Sequence, residues 1–142
     1  MHGIPEIVLD TNVLVSALRS RRGASWRILS LIGTGAFRSH VSVALALEYE
    51  EVLKRANMTS ALTEDDVDKF LDYIFRSSNL VPSVFPRRPS LSDPDDELVL
   101  DLALQCGGII VTYNKRDFAG AEKRRVLVWT PAEFLESMRQ PE

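Results

Sequence analysis

The sequence is poor in the residues that build cysteine- and histidine-based sites. Its 142 residues include one cysteine, Cys106, and two histidines. A single cysteine forms neither an intrachain disulfide nor a cysteine-rich zinc site. Since His2 lies at the chain start, only His40 is placed to serve a site, which excludes a zinc hydrolase with two or three histidine ligands. A Ser-His-Asp triad would have to rely on His40 alone.

Long apolar runs and a strong charge of one sign are also absent. The net charge is -3, and no part of the chain is strongly basic, so tight binding of nucleic acid by charge alone is not expected. No apolar run approaches the roughly 18 residues of a membrane-spanning helix. The first residues lack the basic and then apolar pattern of a secretory signal. We therefore expect a cytoplasmic protein with no membrane partner, built as a single domain over residues 1–142.

Short apolar runs alternate with helical patterns along the chain. Uninterrupted apolar runs predict strands buried on both faces, which are typical of parallel sheets. This alternation predicts an α/β fold with a parallel sheet of four or five strands, in which ligands bind beyond the carboxyl ends of the strands. The expected strands are 7–9, 37–41, 79–84, 109–111 and 126–128. The expected helices are 13–19, 25–32, 42–55, 63–76, 93–106 and 131–138, with an irregular loop at 82–89.

Several carboxylates fall where apolar residues would be expected. Asp10 directly follows the first strand, and helical spacing places Asp96 within the apolar arc of its helix and Glu48 on the apolar side of another. On the former helix, only Glu97, Asp101 and Gln105 form an outward polar stripe. A carboxylate turned toward a core costs several kcal/mol unless it is compensated. Because no lysine or arginine occupies a matching inward position, an oxygen-preferring ion such as Mg²⁺ or Mn²⁺ is the expected compensation.

Each of these carboxylates also has a purely structural interpretation. Asp10 is placed to cap the helix that follows it. Asp93 and Pro94 form a typical helix start, in which Asp96 would interact favourably with the helix dipole. Glu48 fits a half-exposed position whose aliphatic stem covers apolar surface. Both interpretations stay open for each carboxylate taken singly.

Four segments, in order, resemble the motifs of the PIN-domain family. They are a strand followed by Asp10-Thr11-Asn12, the segment 42–48 followed by 51–55, the acidic Asp93-Pro94-Asp95-Asp96 with its apolar helix, and the segment 111–118. The resemblance runs from residue 7 to about residue 130. The third motif and the segment 50–55 are most similar to VapC-like PIN toxins of toxin–antitoxin systems.

This resemblance implies a three-layer α/β/α fold and an acidic pocket that binds Mg²⁺ or Mn²⁺. It implies endonucleolytic cleavage of single-stranded RNA by metal-activated water, with Asp10, Glu48 and Asp96 as the carried-over carboxylates. The fourth family position, often aspartate, is Asn114 here. Asn114 can offer a carbonyl oxygen to a metal but no charge, and we expect Asp117 to supply that charge.

Further expectations follow from the same resemblance. Thr11, Asn12 and Thr112 are expected to hold the carboxylates in place by hydrogen bonds. Lys115 and Arg116 are expected to contact RNA phosphates. A small antitoxin protein and a second copy of the chain, forming a homodimer, are the expected protein partners.

Two alternative functions are weighed against this one. A PIN fold with a weakened site would act as a partner-binding module, and the departure at Asn114 motivates that alternative. A haloacid-dehalogenase-like phosphatase also places an aspartate after its first strand, but it needs a second acid two residues later. Here that residue is Asn12, so the general acid/base would be missing.

Overall fold

A parallel β-sheet forms the centre of the computed structural model, which describes residues 3–56, 62–82 and 93–139. Within these ranges the strands are β1 Glu6–Leu9, β2 Arg38–Ser42, β3 Asn79–Val81, β4 Ile109–Val111 and β5 Val128–Trp129. The α-helices of the same ranges are α1 Thr11–Arg19, α2 Ala24–Ser30, α3 Val43–Ala56, α4 Glu64–Ser77, α5 Pro94–Cys106 and α6 Pro131–Arg139. Two short 3-10 helices, Lys115–Phe118 and Ala121–Arg124, lie between β4 and β5.

The strand order is β3-β2-β1-β4-β5, and every neighbouring pair is parallel. Strands β2 and β3 lie in succession on one side of β1. The chain then returns through α5 to β4, which pairs with the other side of β1. Because such crossovers are right-handed, connections that run in opposite directions lie on opposite faces of the sheet. The predicted three-layer α/β fold with a parallel sheet is confirmed. The strand order reverses between β1 and β4, which is where ligands bind in open α/β sheets.

The apolar runs of the sequence form the core as predicted. Ile7, Val8 and Leu9 are at most 1% exposed, so β1 is covered on both faces. Phe37, just before β2, packs edge-to-face against Phe134 of α6, with ring centroids 5.5 Å apart. This contact ties the last helix to the sheet.

Helix ends follow the expected local chemistry. Thr63 and Asp66 form a capping box at the start of α4. Asp93 caps α5, its side chain accepts a hydrogen bond from the Asp95 N–H, and Pro94 occupies the first helical position. Gly107 ends α5 in the left-handed conformation that glycine adopts at no steric cost.

The structure differs from the sequence-based expectations at several places. Helix α1 begins at Thr11 with Asp10 as its cap, earlier than the expected start near Val13. Strand β5 begins at Val128, two residues later than expected, because the 3-10 helix Ala121–Arg124 and the turn after it take up the preceding residues. The loop expected at 82–89 lies almost wholly outside the described residues.

Asp101 also differs from expectation, since it is only 7% exposed and not on an outward stripe. Helix α5 packs against β1, β2 and β4 and also contacts α3, so five consecutive residues of it are buried. Helical periodicity alone does not reveal this, because a helix enclosed on several sides has no solvent face at those positions. No helix in the described ranges is both long and apolar enough to span a bilayer.

Candidate active site

Asp10 lies at the carboxyl end of β1, at the point where the strand order reverses. Its backbone N–H donates a 2.9 Å hydrogen bond to the Val111 carbonyl, which extends the β1–β4 pairing by one residue. Its carboxylate accepts a hydrogen bond of 2.8 Å from the Thr11 N–H through Oδ1 and one of 2.7 Å from the Thr112 hydroxyl through Oδ2. Asp10 therefore caps α1 and also faces the end of the neighbouring strand, so its structural and functional interpretations coexist.

Asn12 and Thr112 hold the Asp10 carboxylate in a fixed orientation. The Asn12 amide Nδ2 lies 3.3 Å from both Asp10 Oδ2 and Thr112 Oγ1. Thr112 is fully buried, and its hydroxyl oxygen also accepts a hydrogen bond of 3.0 Å from the Asn114 N–H. The structure thus brings Thr11, Asn12 and Thr112 to Asp10, each with a hydrogen bond to its carboxylate.

Asp96 lies in the first turn of α5 and is half-buried. Burial, followed by the charge of Asp10 and then those of Asp93 and Asp117, raises the pKa of Asp96 to about 7. Burial also raises the pKa of Asp10, although the hydrogen bonds from Thr112 and Thr11 act against it. Asp10 and Asp96 thus belong to one acidic cluster, because the charge of Asp10 opposes the ionisation of Asp96 and the charges of Asp93 and Asp117 act on both carboxylates.

Glu48 of α3 interacts with a different carboxylate from the one expected. Burial and then the charge and hydrogen bond of Asp95 raise the pKa of Glu48 to about 7. The charge of Asp95 also acts on Asp96, so Asp95 influences both Glu48 and the cluster of Asp10 and Asp96. Sequence reasoning did not assign Asp95 to the site, although its place in the third acidic motif was the available signal.

The fourth motif forms an exposed turn beside the cluster. Asn114 is exposed and precedes the 3-10 helix Lys115–Phe118, and the Asp117 N–H donates a hydrogen bond of 3.0 Å to the Asn114 carbonyl. The charge of Asp117 acts on both Asp10 and Asp96, so Asp117 adds to the negative charge of this cluster.

The two predicted RNA contacts differ in their surroundings. Lys115 Nζ forms an ion pair with Glu133, at 3.0 Å from Oε1. Arg116 is exposed on the same turn. A phosphate would have to compete with Glu133 for Lys115, whereas the charge of Arg116 faces solvent.

The carboxylates fit an open Mg²⁺ site with few protein ligands better than a site in which protein ligands enclose the metal. Among the described residues, no three histidine, cysteine, aspartate or glutamate side chains are grouped tightly enough to enclose a metal. Mg²⁺ is commonly bound through one or two carboxylates, with water and substrate phosphate completing its coordination. The oxygen ligands of Asp10 and Asp96 fit that mode, and their mutual repulsion is the feature that a divalent cation would relieve.

Comparison with known proteins identifies the fold independently of this geometry. A family model described as PIN domain matches residues 6–116. No curated protein is significantly similar to the chain.

Three solved structures share the fold. A chain of FitAcB from Neisseria gonorrhoeae is 20% identical with a TM-score of 0.63, and the match covers 89% of this chain and 98% of that one. A chain of VapBC2 from Rickettsia felis, bound to a DNA fragment from its promoter, is 15% identical with a TM-score of 0.61, covering 87% and 96%. A chain of VapBC-1 from nontypeable Haemophilus influenzae is 14% identical with a TM-score of 0.58, covering 89% and 98%.

Proposed function

This chain belongs to the PIN-domain family, and on that premise we propose that it is a metal-dependent endoribonuclease that cleaves single-stranded RNA. The observation that carries the proposal is the cluster of Asp10 and Asp96 at the reversal point of the sheet, where burial and neighbouring carboxylates raise the pKa values of both. Carboxylates held together against their own repulsion are typical of sites built for a cation.

The residues of the chain would divide the work as follows. Asp10 and Asp96 would hold Mg²⁺ or Mn²⁺, with Asn114 and Asp117 near enough in the fourth motif to take part. Such an ion supplies an activated water and polarises the phosphodiester. Thr11, Asn12 and Thr112 keep the Asp10 carboxylate oriented through the hydrogen bonds that they make to it.

Glu48 would carry a proton for part of the time near neutral pH, because burial and its contact with Asp95 favour the uncharged carboxyl. Because the pKa of Glu48 is raised to about 7, its carboxyl can both give and take a proton at physiological pH. This assigns Glu48 to proton transfer or to a water-mediated contact with the ion. Arg116 would contact an RNA phosphate, since its charge faces solvent beside the cluster.

The protein would act as the toxin of a toxin–antitoxin pair. The three solved structures that share its fold are of VapBC2, VapBC-1 and FitAcB toxin–antitoxin complexes, which supports a small antitoxin as its partner. A basic side chain of that partner would suit the acidic cluster, because charge-assisted bonds to carboxylates are strong. We also propose that two copies of the chain form a homodimer.

The test is cleavage of a labelled single-stranded RNA with Mg²⁺ or Mn²⁺. We expect cleavage that EDTA abolishes and that falls about a hundredfold or more in Asp10→Asn and in Asp96→Asn. The matched control is Asp72→Asn, an exposed aspartate of α4 paired with Arg76, which should cleave normally. Circular dichroism checks the folding of each variant. Equal activity in all three variants would contradict the proposed site.

A partner-binding module with a weak site is the second candidate. Asn114 and the lack of a ready-made cage of three ligands among the described residues favour it. If the folded wild type cleaves no RNA, Asn114→Asp should restore activity to a weakened nuclease but not to a pure binding module. A phosphatase is disfavoured, because the Asn12 amide is engaged with Asp10 and Thr112 and has no titratable proton.

A further inference from the structure

Tyr113 is a large exposed aromatic residue, and the side chain of Asn12 links it to Asp10 of the acidic cluster. It directly follows Thr112, it is 44% exposed, and its backbone N–H donates a hydrogen bond of 3.3 Å to Asn12 Oδ1. The other end of the same Asn12 amide donates to Asp10 Oδ2. The position of Tyr113 is therefore coupled to the carboxylate that we assign to the ion.

The hydroxyl of Tyr113 is held by two different helices. It shares a hydrogen bond of 2.5 Å with Ser25 Oγ of α2 and accepts one of 3.3 Å from Ser16 Oγ of α1. The backbone N–H and the hydroxyl of Tyr113 are thus both hydrogen-bonded, while the residue stays 44% exposed. An aromatic ring that is already ordered loses little conformational entropy when a flat partner stacks on it.

Tyr73 provides an internal contrast. Its hydroxyl donates hydrogen bonds to the carbonyls of Leu29 and Ile32, and it lines a small apolar groove with Trp26 and Phe70 between α2 and α4. These contacts give Tyr73 a structural role, because they join α4 to α2. Tyr113 instead projects from the fourth motif beside the acidic cluster.

A groove along α1 lies next to Tyr113. It has a volume of about 410 Å³ and is lined by one face of α1 from Thr11 to Ser20, together with Val52 of α3. Ser16 belongs both to this groove and to the anchor of Tyr113. Arg19 lies in the lining some 12 Å beyond Thr11, from the helical rise per residue, and offers a positive charge there.

We propose that Tyr113 is a stacking platform for a base of single-stranded RNA next to the cleaved phosphate, with the strand continuing along the α1 groove toward Arg19. This inference rests on the proposed function, and it specifies which residues would bind the RNA strand. Bases of single-stranded RNA are free to stack on aromatic side chains, and such stacking tolerates any base because every base has a π face. Arg19 would then contact a phosphate of the same strand.

The experiment measures binding separately from cleavage. An RNA with 2-aminopurine at successive positions is titrated with the Asp10→Asn protein in Mg²⁺, and stacking is read from quenching of the fluorescence. We expect strong quenching at one or two adjacent positions. Tyr113→Phe and Tyr113→Trp in the same background should keep it, because they retain an aromatic ring. Tyr113→Leu should lose it and bind roughly tenfold to a hundredfold more weakly.

Kinetics in the otherwise wild-type chain give a second measurement. Tyr113→Leu should raise KM about as much as it weakens binding and leave kcat within about threefold. The matched control is Tyr73→Leu, which should bind RNA normally once its folding is verified. Arg19→Ala should weaken binding and reduce its salt dependence without affecting the quenching.

The outcomes separate this proposal from the one on which it rests. RNA that is bound and quenched but never cleaved would contradict the nuclease function and retain the platform. Normal KM and quenching in a folded Tyr113→Leu protein would overturn the platform and retain the nuclease. If Tyr113→Phe and Tyr113→Leu lose stability and binding equally, the hydroxyl anchor is structural and the platform is wrong. Absence of RNA binding altogether would overturn both.

Discussion

The Thr112 hydroxyl donates a hydrogen bond of 2.7 Å to the Asp10 carboxylate, across 102 positions of the sequence. The two residues follow β1 and β4, the neighbouring strands between which the strand order reverses. This bond acts against the effect of burial on the pKa of Asp10, because it favours the charged carboxylate. Thr112 therefore keeps Asp10 closer to the ionised form that a metal ion requires.

Thr112→Val removes that bond while nearly conserving volume. We expect a loss of about 1–3 kcal/mol in the free energy of unfolding, because the buried hydroxyl also serves Asn12 and Asn114. The pKa of Asp10 should rise further, so cleavage should need a higher pH. Urea denaturation and a pH–rate profile measure the two effects. The matched control is Thr34→Val, whose hydroxyl donates to the Leu31 carbonyl on an exposed turn, and an equal effect there would contradict the assignment.

Asp96 should make divalent-ion binding depend on pH near neutrality. Burial and the charges of Asp10, Asp93 and Asp117 raise its pKa from 3.8 to about 7, so an ion must displace a proton below pH 7. The apparent affinity for Mn²⁺ should fall by up to about tenfold per pH unit below 7. Calorimetry in two buffers of different ionisation enthalpy measures the released proton, and an affinity independent of pH would contradict this prediction.

The same residue should govern the stability of the metal-free protein. Since the pKa of Asp96 is higher in the folded state than its ordinary 3.8, its contribution to stability is present at pH 4 and is lost as the pH rises to about 7. In EDTA, Asp96→Asn should therefore be more stable than the wild type at pH 8 and equally stable at pH 4. Asp72→Asn, exposed on α4, should show no such difference.

Glu48→Gln tests whether burial and the neighbouring Asp95 make the charged form of Glu48 unfavourable. The pKa of Glu48 is raised from 4.5 to about 7, so the wild type carries an unfavourable charge there at pH 8 but not at pH 5. In EDTA we expect the variant to be more stable than the wild type at pH 8 and equally stable at pH 4, below the ordinary glutamate pKa of 4.5. Cleavage should nevertheless fall at least tenfold. Asp72→Asn, an exposed aspartate of α4 paired with Arg76, is the control and should retain its activity.

Tyr49→Phe tests the hydrogen bond that fixes the end of β1, directly before Asp10. The buried Tyr49 hydroxyl of α3 donates a hydrogen bond of 2.5 Å to the Leu9 carbonyl. Its removal leaves a buried carbonyl without that donor, which should cost about 1–3 kcal/mol in the free energy of unfolding. Tyr73→Phe removes a hydroxyl whose residue is 36% exposed, so water can replace it and the loss should be smaller. Equal losses by urea denaturation would show that burial of the hydroxyl does not matter.

Much of the fold was determined by local patterns in the sequence. The apolar runs that became β1 and β4 predicted strands buried on both faces, because no solvent-facing alternation interrupts them. Asp93 and Pro94 predicted the start of α5, since capping is a property of adjacent residues. The placement of Asp10 and Asp96 in one cluster also agrees with their positions after a strand and on an apolar helical arc.

Tertiary structure alone decided which of these groups meet. The burial of Asp101, the pairing of Glu48 with Asp95 and the anchoring of Tyr113 by Ser16 and Ser25 each join elements distant in sequence. Such contacts depend on strand order, register and helix packing, which periodicity does not specify. Sequence patterns establish which face of an element is apolar, whereas the charge and proton state of each carboxylate depend on the neighbours that folding brings to it.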